Sequence, residues 1–272
     1  MKQRIVIKLG GASLQNPATL HELAALVRGY QKRRYNVVIV HGGGPAINEE
    51  LTKRNIKWQF INGQRQTTLE MMDVIDEVLA KDVNGMVVEQ LKLAKINAVG
   101  MSGAENNILF CSQSNPELMQ VGKVESVDAT KIESVLSQFG ARVPVVAPIG
   151  VGAFEEKYNV NADWAATMIA VALNAKMLIF LTDQSGILDQ EKKLVPRATS
   201  QMIDKMIEDG VISGGMFTKA KAMTTAMNAG IKQVRVLHAS FASLVLNAGS
   251  IGTLVTDVSA ATQRGALHGR AS

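Results

Sequence analysis

Ile5-Val6-Ile7-Lys8-Leu9-Gly10-Gly11 stands near the start of the sequence, and Val37-Val38-Ile39-Val40-His41-Gly42-Gly43-Gly44-Pro45 follows it. Each segment is a short run of branched apolar residues that ends in glycine. Such runs are typical of strands that are buried on both faces of a parallel sheet. Between them, Asn16 and Pro17 begin a helical pattern. We therefore predict a strand–helix–strand unit in this part of the chain.

The same alternation continues along the chain. It predicts an α/β fold with a doubly wound, mostly parallel sheet and right-handed crossovers. We expect residues 108–127 to form a β-hairpin insertion and the long helical pattern 69–91 to break at Asn84-Gly85. A boundary near Asn159 would separate an N-terminal lobe, residues 1–158, from a smaller C-terminal lobe, residues 159–272. The predicted strands are 5–9, 37–40, 98–101, 143–148, 177–182 and 234–237, and the predicted helices are 17–30, 69–91, 129–139, 162–173, 200–208 and 216–228.

Composition limits the classes of function. The chain has 272 residues, a net charge of +5 and one cysteine, Cys111. A single cysteine forms no internal disulfide, which fits a reducing compartment and predicts a cytoplasmic protein. We see neither a signal peptide nor an apolar run long enough for a membrane helix. Because the cations are dispersed along the chain, we predict small anionic ligands and no nucleic acid.

Glycines follow the first two predicted strands, at the sheet edge where open α/β proteins bind ligands. Gly10 and Gly11 follow strand one, and Gly43 and Gly44 follow strand two, just before a helix start at Pro45. Glycines let backbone N–H groups approach an anion closely, and a helix N-terminus favours negative charge. Tight strand-to-helix turns would use the same residues, so both interpretations stay open. Neither run has the spacing of a Walker loop or a dinucleotide fingerprint.

The sequence pattern predicts that two lysines face the protein interior. Lys8 interrupts an apolar strand, where a charge is costly without a partner, although an edge strand could let it reach solvent. Lys219 falls on the apolar side of the helix 216–228, and Lys221 points away. Asp163 follows the predicted N-cap Asn161, so capping explains it, and it could also hold the two lysines. The pattern favours an anion site between the lysines.

Arg65 lies in Gly63-Gln64-Arg65-Gln66-Thr67, where its guanidinium fork suits a carboxylate, although a solvated surface position is equally open. The segment 182–187 follows a strand and offers a polar loop for a nucleoside, or a plain turn. His21, His41, His238 and His268 do not form a ligand cluster, so we predict no metal held by the protein.

These motifs, in this order, resemble the amino acid kinase family and, within it, the N-acetylglutamate kinases. The resemblance covers nearly the whole chain. It implies a three-layer αβα sandwich with a mainly parallel, eight-stranded central sheet, an acyl-substrate lobe that also dimerises, and an ATP lobe. The segments that carry it are 8–11, 40–45, 63–67, 98–103, 159–163, 181–187, 215–219 and 252–253.

The resemblance also implies a role for each site residue. Lys8 and Lys219 would stabilise the transferring phosphoryl group, with backbone N–H groups of Gly10 and Gly11, and Asp163 would organise the lysines. Magnesium would be held mainly by ATP and water. N-acetyl-L-glutamate would lie on Gly43, Gly44, Arg65 and Asn159, and ATP on Thr182, Asp183, Gly186, Ile187, Val211 and Ser213.

The implied reaction joins the substrate γ-carboxylate to the γ-phosphorus of ATP and yields an acyl phosphate. A carboxylate is ionised at neutral pH, so positioning and positive charge, without a general base, supply the catalysis. Glu105 and His238 depart from the family pattern and leave substrate choice open. Carbamate, glutamate 5-, aspartate or uridylate kinase activity is the alternative, as is a silent regulatory module. The chain begins at strand one without an extra N-terminal helix, which favours a homodimer.

Overall fold

A computed structural model describes residues 2–61, 63–247 and 251–257 of the chain. Its centre is an eight-stranded sheet, as the family resemblance predicts. The strands, numbered along the chain, are β1 (Arg4–Leu9), β2 (Asn36–His41), β3 (Phe60–Ile61), β4 (Gln64–Arg65), β5 (Ala98–Ser102), β6 (Leu109–Gln113), β7 (Val121–Val127), β8 (Val143–Ala147), β9 (Ile149–Val151), β10 (Lys157–Val160), β11 (Met177–Thr182), β12 (Arg197–Ala198), β13 (Gln233–His238) and β14 (Thr253–Val255).

The sheet has the strand order β12-β14-β13-β11-β1-β2-β8-β5. Neighbouring strands run parallel except β13 and β14, which are antiparallel. β1 lies at the middle, paired with β11 on one side and with β2 on the other. All six strands predicted from the apolar runs are present. Because β1, β2 and β11 are parallel, their carboxyl ends meet at one edge of the sheet.

Helices cover both faces of the sheet, as predicted. In β1, Ile5 and Ile7 join the core formed with α1 to α4, whereas Val6 joins the core formed with α5, α6 and α8. Side chains of a strand alternate between faces, so Lys8 shares the face of Val6. The helices are α1 (Pro17–Lys32), α2 (Gly44–Lys53), α3 (Leu69–Asp76), α4 (Asn84–Leu93), α5 (Ala129–Ser137), α6 (Ala162–Ala172), α7 (Ser200–Glu208) and α8 (Gly214–Asn228).

Two smaller β structures flank the sheet. The predicted insertion at residues 108–127 is an antiparallel hairpin of β6 and β7, and it closes with β9 and β10 into a four-stranded unit. β3 and β4 form a short antiparallel hairpin. This hairpin places Arg65 on a strand.

The expected break at Asn84-Gly85 is wrong. α3 continues through a π-helical stretch, Glu77–Val83, directly into α4. Asn84 has ordinary helical backbone angles, and the irregularity lies in the turn before it. The apolar pattern therefore located the helix but not the change in its hydrogen bonding, because buried apolar side chains continue through the π-helical stretch.

The two halves of the sheet come from the two parts of the chain. β1, β2, β5 and β8 precede residue 159, and β11 to β14 follow it. One continuous sheet thus joins the regions predicted as lobes, and residues 258–272 of the second lie outside the described residues. Among the described residues, no helix combines the length and apolar character needed to cross a membrane.

Candidate active site

The glycine loops after β1 and β2 lie against each other at the sheet edge. The N–H of Gly10 donates to Leu181 O at 2.9 Å, and the N–H of Gly42 donates to Leu9 O at 2.8 Å. A Cβ atom added to Gly11 would lie 2.7 Å from the nitrogen of Gly43. Backbone cannot move aside as a flexible side chain can. The close approach of the two loops therefore requires glycine at position 11.

These loops form a concave backbone surface. Gly43 is the N-cap of α2, and Gly44 and Pro45 begin the helix. The first N–H groups of a helix have no partner within it, and they lie at the positive end of its dipole. Around Gly44, a Cβ atom would find no neighbour within 4 Å, so the cleft is open there. The surface can receive a phosphate or carboxylate.

Lys8, Asp163 and Lys219 meet next to this surface. The Nζ atom of Lys8 lies 2.9 Å from Oδ1 of Asp163, and the Nζ atom of Lys219 lies 2.9 Å from its Oδ2. All three residues are 7% exposed. Asn161 caps α6 by accepting from the N–H of Asp163, which fixes the backbone under the carboxylate. One carboxylate thus holds two buried ammonium groups.

The electrostatics of this cluster leave one positive charge in excess. Burial acts to raise the pKa of Asp163, but Lys8 and Lys219 outweigh it and lower that pKa to about 2. Burial, together with the charge of Lys8, lowers the pKa of Lys219, and Asp163 and Asp183 oppose that shift. Two cations share one anion in a place with little water. A second anion between the lysines would be strongly stabilised.

Arg65 lies across the cleft, on β4. Its Nη2 atom donates to Asn48 Oδ1 and, at 3.4 Å, to Gly44 O. Its guanidinium carbon lies 5.1 Å from the ring centre of Trp58 and 4.9 Å from that of Phe60. Burial lowers its pKa to about 10, so it stays charged at neutral pH. Within the described part of the chain, its buried Nη1 has no hydrogen-bond acceptor.

A buried Nη1 without an acceptor costs free energy unless a ligand supplies one. A carboxylate accepts from a guanidinium with two oxygens. Thr67 holds the Arg65 side of the cleft in place. Its Oγ1 donates to Arg65 O at 3.0 Å and accepts from Asn159 Nδ2 at 3.0 Å. Arg65 and Asn159 are therefore joined through one hydroxyl.

The cleft between these groups has a volume of about 270 Å³. Seven of the predicted residues and several apolar side chains line it. That combination suits a small, anionic molecule with an apolar part. The predicted residues that line it are Lys8, Gly11, Gly43, Gly44, Arg65, Asn159 and Asp163; Gly10 precedes Gly11 in the same loop, and Lys219 reaches the cluster through Asp163.

The predicted nucleotide residues are only partly brought together. Thr182 lies at the end of β11, beside the glycine loop, and its Oγ1 donates to Asp183 Oδ1 at 2.9 Å. Gly186 has φ +151° and Ile187 N donates to Thr253 Oγ1. Val211 and Ser213 lie just before α8. Among the described residues, no hydrogen bond joins Val211 or Ser213 to the 182–187 loop.

Sequence reasoning missed three side chains around Arg65. Asn48 supplies a hydrogen bond, and Trp58 and Phe60 supply ring faces. The sequence did offer a signal for Trp58 and Phe60. Aromatic residues make up only 4% of the chain, and these two lie close in sequence to the candidate residue Arg65. His41 is buried and hydrogen-bonded to the Gly42 carbonyl and to Asn84.

Comparison with known proteins agrees with this geometry. Residues 3–238 match the model of the amino acid kinase family. This chain belongs to that family. Acetylglutamate kinase of Clostridioides difficile (strain 630) is 37% identical over 260 residues, covering 92% of this chain and 90% of the relative. Acetylglutamate kinase of Bacillus cytotoxicus is 38% identical over 258 residues, covering 94% and 97%.

A solved structure, smu.665 from Streptococcus mutans UA159, has the same fold, with a TM-score of 0.82 and 28% identity. It covers 95% of this chain and 100% of that one. The predicted membership of the amino acid kinase family and the predicted fold are thus confirmed. The two departures from the family pattern have structural partners: Glu105 lies 4.0 Å from Lys157 Nζ, and His238 Nδ1 accepts from Ser240 N.

Proposed function

We propose that this amino acid kinase transfers the γ-phosphoryl group of ATP to the γ-carboxylate of N-acetyl-L-glutamate. The products are N-acetyl-L-glutamyl 5-phosphate and ADP, in the second step of arginine biosynthesis. The observation that carries the proposal is the buried pair Lys8 and Lys219, held apart by Asp163 beside the glycine loops. The names of the relatives support the choice of acyl substrate. No observation favours another kinase of the family or a silent regulatory module.

The acyl substrate would enter the cleft between Arg65 and the glycine loops. Its α-carboxylate would accept from the free Nη1 of Arg65, and the side chain of Asn159 and the backbone of Gly43 and Gly44 would hold the rest. Trp58 and Phe60 pack on Arg65 and restrict its movement. In this pose the γ-carboxylate would lie toward Lys8, which lines the same cleft.

Lys8 and Lys219 would balance the negative charge of the two anions, and the N–H groups of Gly11 and Gly44 would bind phosphoryl oxygens. The predicted role of the Gly10 N–H is wrong, because that group is already donated to Leu181 O. Asp163 stays ionised and lies between the two ammonium groups, with one of its oxygens in contact with each. The attacking carboxylate needs no base because it is ionised above its pKa of about 4. The side chains therefore position and stabilise, and they move no proton.

ATP would extend from the glycine loops over the end of β11. Thr182, Asp183, Gly186 and Ile187 would lie along the nucleoside, with Val211 and Ser213 approaching from the N-terminus of α8. The open surface at Gly44 and the excess positive charge suit the triphosphate. Bound magnesium would neutralise phosphate oxygens, and we propose that ATP and water hold it. The described residues contain no group of three or more His, Cys, Asp or Glu side chains for this purpose.

Trapping with hydroxylamine tests the reaction, because an acyl phosphate gives a hydroxamate. The protein is incubated with magnesium ATP and with N-acetyl-L-glutamate, L-glutamate, L-aspartate or no acid. We expect hydroxamate with N-acetyl-L-glutamate alone. If no acid gives hydroxamate, the acyl-phosphate assignment is wrong, and uridylate is the next acceptor to test.

Arg65→Ala tests the carboxylate site. A charge-assisted, bidentate contact is worth about 1.5–3 kcal/mol, so the KM for N-acetyl-L-glutamate should rise about 10- to 100-fold. The KM for ATP should change less than about twofold. Lys57→Ala is the control, because it removes an exposed cation from the same segment. An equal rise in both KM values would remove Arg65 from the carboxylate contact.

We further propose a cytoplasmic homodimer with an acyl-substrate and dimerisation lobe at residues 1–158 and an ATP lobe at residues 159–272. Use of ATP and the free, buried Cys111 support the location. Leu69 and Leu93, each 70% exposed at the two ends of the long helix, support an interface there. Light scattering checks the assembly: a monomeric mass at working concentration would contradict the dimer.

A further inference from the structure

A buried polar network lies behind the glycine loop of β2. His41, at the end of β2, is fully buried, and Asn84, in the first turn of α4, is 3% exposed. Asn84 Nδ2 lies 2.9 Å from Val145 O, 3.4 Å from Met101 O and 3.1 Å from His41 Nε2. His41 Nδ1 lies 2.9 Å from Gly42 O. None of these side chains lines the cleft, so the proposed reaction does not yet use them.

The neighbours of Asn84 determine the tautomer of His41. Carbonyl oxygens only accept hydrogen bonds, so Val145 O and Met101 O require the amide nitrogen of Asn84 on their side. Of its two N–H groups, one donates to Val145 O and the other to His41 Nε2, which must carry a lone pair because an amide nitrogen cannot accept. The ring proton therefore sits on Nδ1 and is donated to Gly42 O. Burial lowers the pKa of His41 to about 4, in agreement with a neutral ring.

The direction of the Gly42 carbonyl sets the direction of the next N–H. In a trans peptide the C=O and the following N–H point to opposite sides. Because the Gly42 C=O points back to His41, the N–H of Gly43 points away from it. The nitrogen of Gly43 lies against Gly11, where an added Cβ atom would be 2.7 Å away, and both residues line the cleft. His41 thus holds one donor of the glycine loop toward the place where an anion would bind.

The π-helical stretch places this network. Leu79 and Val83, both in that stretch, lie under Gly43: an added Cβ would be 2.3 Å from Leu79 Cδ2 and 3.5 Å from Val83 Cγ2. Asn84 follows directly and packs on Gly100, where a Cβ would be 2.3 Å from Asn84 Oδ1. π-Helical turns occur frequently at functional sites. The π-helical stretch therefore packs apolar side chains against Gly43, and Asn84, which follows it, hydrogen-bonds to His41.

We propose that His41 and Asn84 are positioning residues that orient the Gly42–Gly43 peptide group, so that the Gly43 N–H serves as an anion donor in phosphoryl transfer. The proposal rests on the proposed kinase function only for its kinetic readout. Its structural content is the Nδ1-protonated tautomer and the fixed Gly43 N–H.

Two substitutions at position 41 separate positioning from packing. In His41→Asn the amide nitrogen can take the place of Nδ1 and still donate to Gly42 O, whereas in His41→Gln the amide lies near Nε2. Both remove ring volume from the same buried site. We expect kcat of His41→Asn within about threefold of wild type and kcat of His41→Gln about 100-fold lower. We expect the KM for the acyl substrate to change less than kcat in both, because Arg65 and Asn159 contact that substrate independently of Gly43.

Two further results would decide the proposal independently. Ring ¹⁵N NMR of the wild-type protein should show a protonated Nδ1 and an unprotonated Nε2 at His41, and the Gly43 amide should shift on addition of ATP. A protonated Nε2, or equal kcat for the two variants, would overturn the proposal. If the wild type forms no hydroxamate at all, the kinase proposal fails, and the tautomer and the ATP-induced shift still test this one. If His41→Gln does not fold, Asn84→Leu serves in its place, with a loss of at least about tenfold in kcat expected.

Discussion

Lys8→Arg should fold normally and lose about 100- to 1,000-fold in kcat, the usual effect of losing a preorganised charge contact at a transition state. The positive charge is kept, but its shape changes from a compact ammonium to a wide planar fork. Lys8 is 7% exposed and lies 2.9 Å from Asp163 Oδ1. An arginine there would pair with both oxygens of Asp163 and compete with Lys219 for the second one. Steady-state kinetics and circular dichroism check the two halves of this prediction.

Lys221→Arg is the matched control for Lys8→Arg. Lys221 lies on the same helix as Lys219 but points to Asp204, 3.5 Å away, with a half-exposed side chain. The same chemical change at this position should leave kcat within about twofold of wild type. If Lys8→Arg behaves in the same way as this control, Lys8 has no part in phosphoryl transfer.

Asp163→Asn should have the second large effect, on stability as well as on turnover. Removing one partner from a buried charge cluster typically costs about 3–5 kcal/mol, because the remaining charge is left without compensation. Here two ammonium groups, of Lys8 and Lys219, would repel each other across a neutral amide. Urea unfolding at neutral pH should show the loss. Added ATP should recover part of it, since its phosphates bring negative charge to the lysines.

The pH dependence of the stability difference between wild type and Asp163→Asn follows from the pKa of Asp163. The carboxyl has a pKa of about 2 in the folded protein, below its ordinary value of 3.8. A lowered folded-state pKa stabilises the fold above the ordinary value, and this contribution is lost as the pH falls through the folded-state value. The difference in unfolding free energy between wild type and Asp163→Asn should therefore have its full size at pH 7 and shrink between pH 4 and pH 2. A gap that stays constant over that range would show that the charge of Asp163 does not contribute.

Local patterns were sufficient for the elements and for several orientations. Short apolar runs located β1, β2 and β11, because a strand buried on both faces is built almost entirely from apolar residues. The helical period showed that Lys219 points inward and Lys221 outward. Asn161 was predicted as an N-cap from its place before an apolar helix, and the structure confirms it. In each case the deciding interactions lie within a few residues of the chain.

Other features depended on contacts that no local pattern encodes. The resemblance implied that Asp163 joins Lys8 and Lys219, but the distances exist only because α6 and α8 pack on the face of the sheet to which Lys8 of β1 points. The π-helical stretch was missed, because its apolar face is read in the same way as that of an α-helix. The packing of Trp58 and Phe60 on Arg65 depends on the β3–β4 hairpin, in which Phe60 pairs with Arg65.

The sequence by itself determined the parallel α/β sheet, the glycine ends of its first two strands, the inward lysines and the family. Periodicity, glycine placement and helix caps are local, and the physical forces behind them act within one or two turns. Only the tertiary structure decided which groups share a charge, which donor of Arg65 stays free and which tautomer His41 adopts. Those outcomes depend on burial and on partners brought together by the sheet, since a charge or a hydrogen bond acquires its free energy from what surrounds it in space.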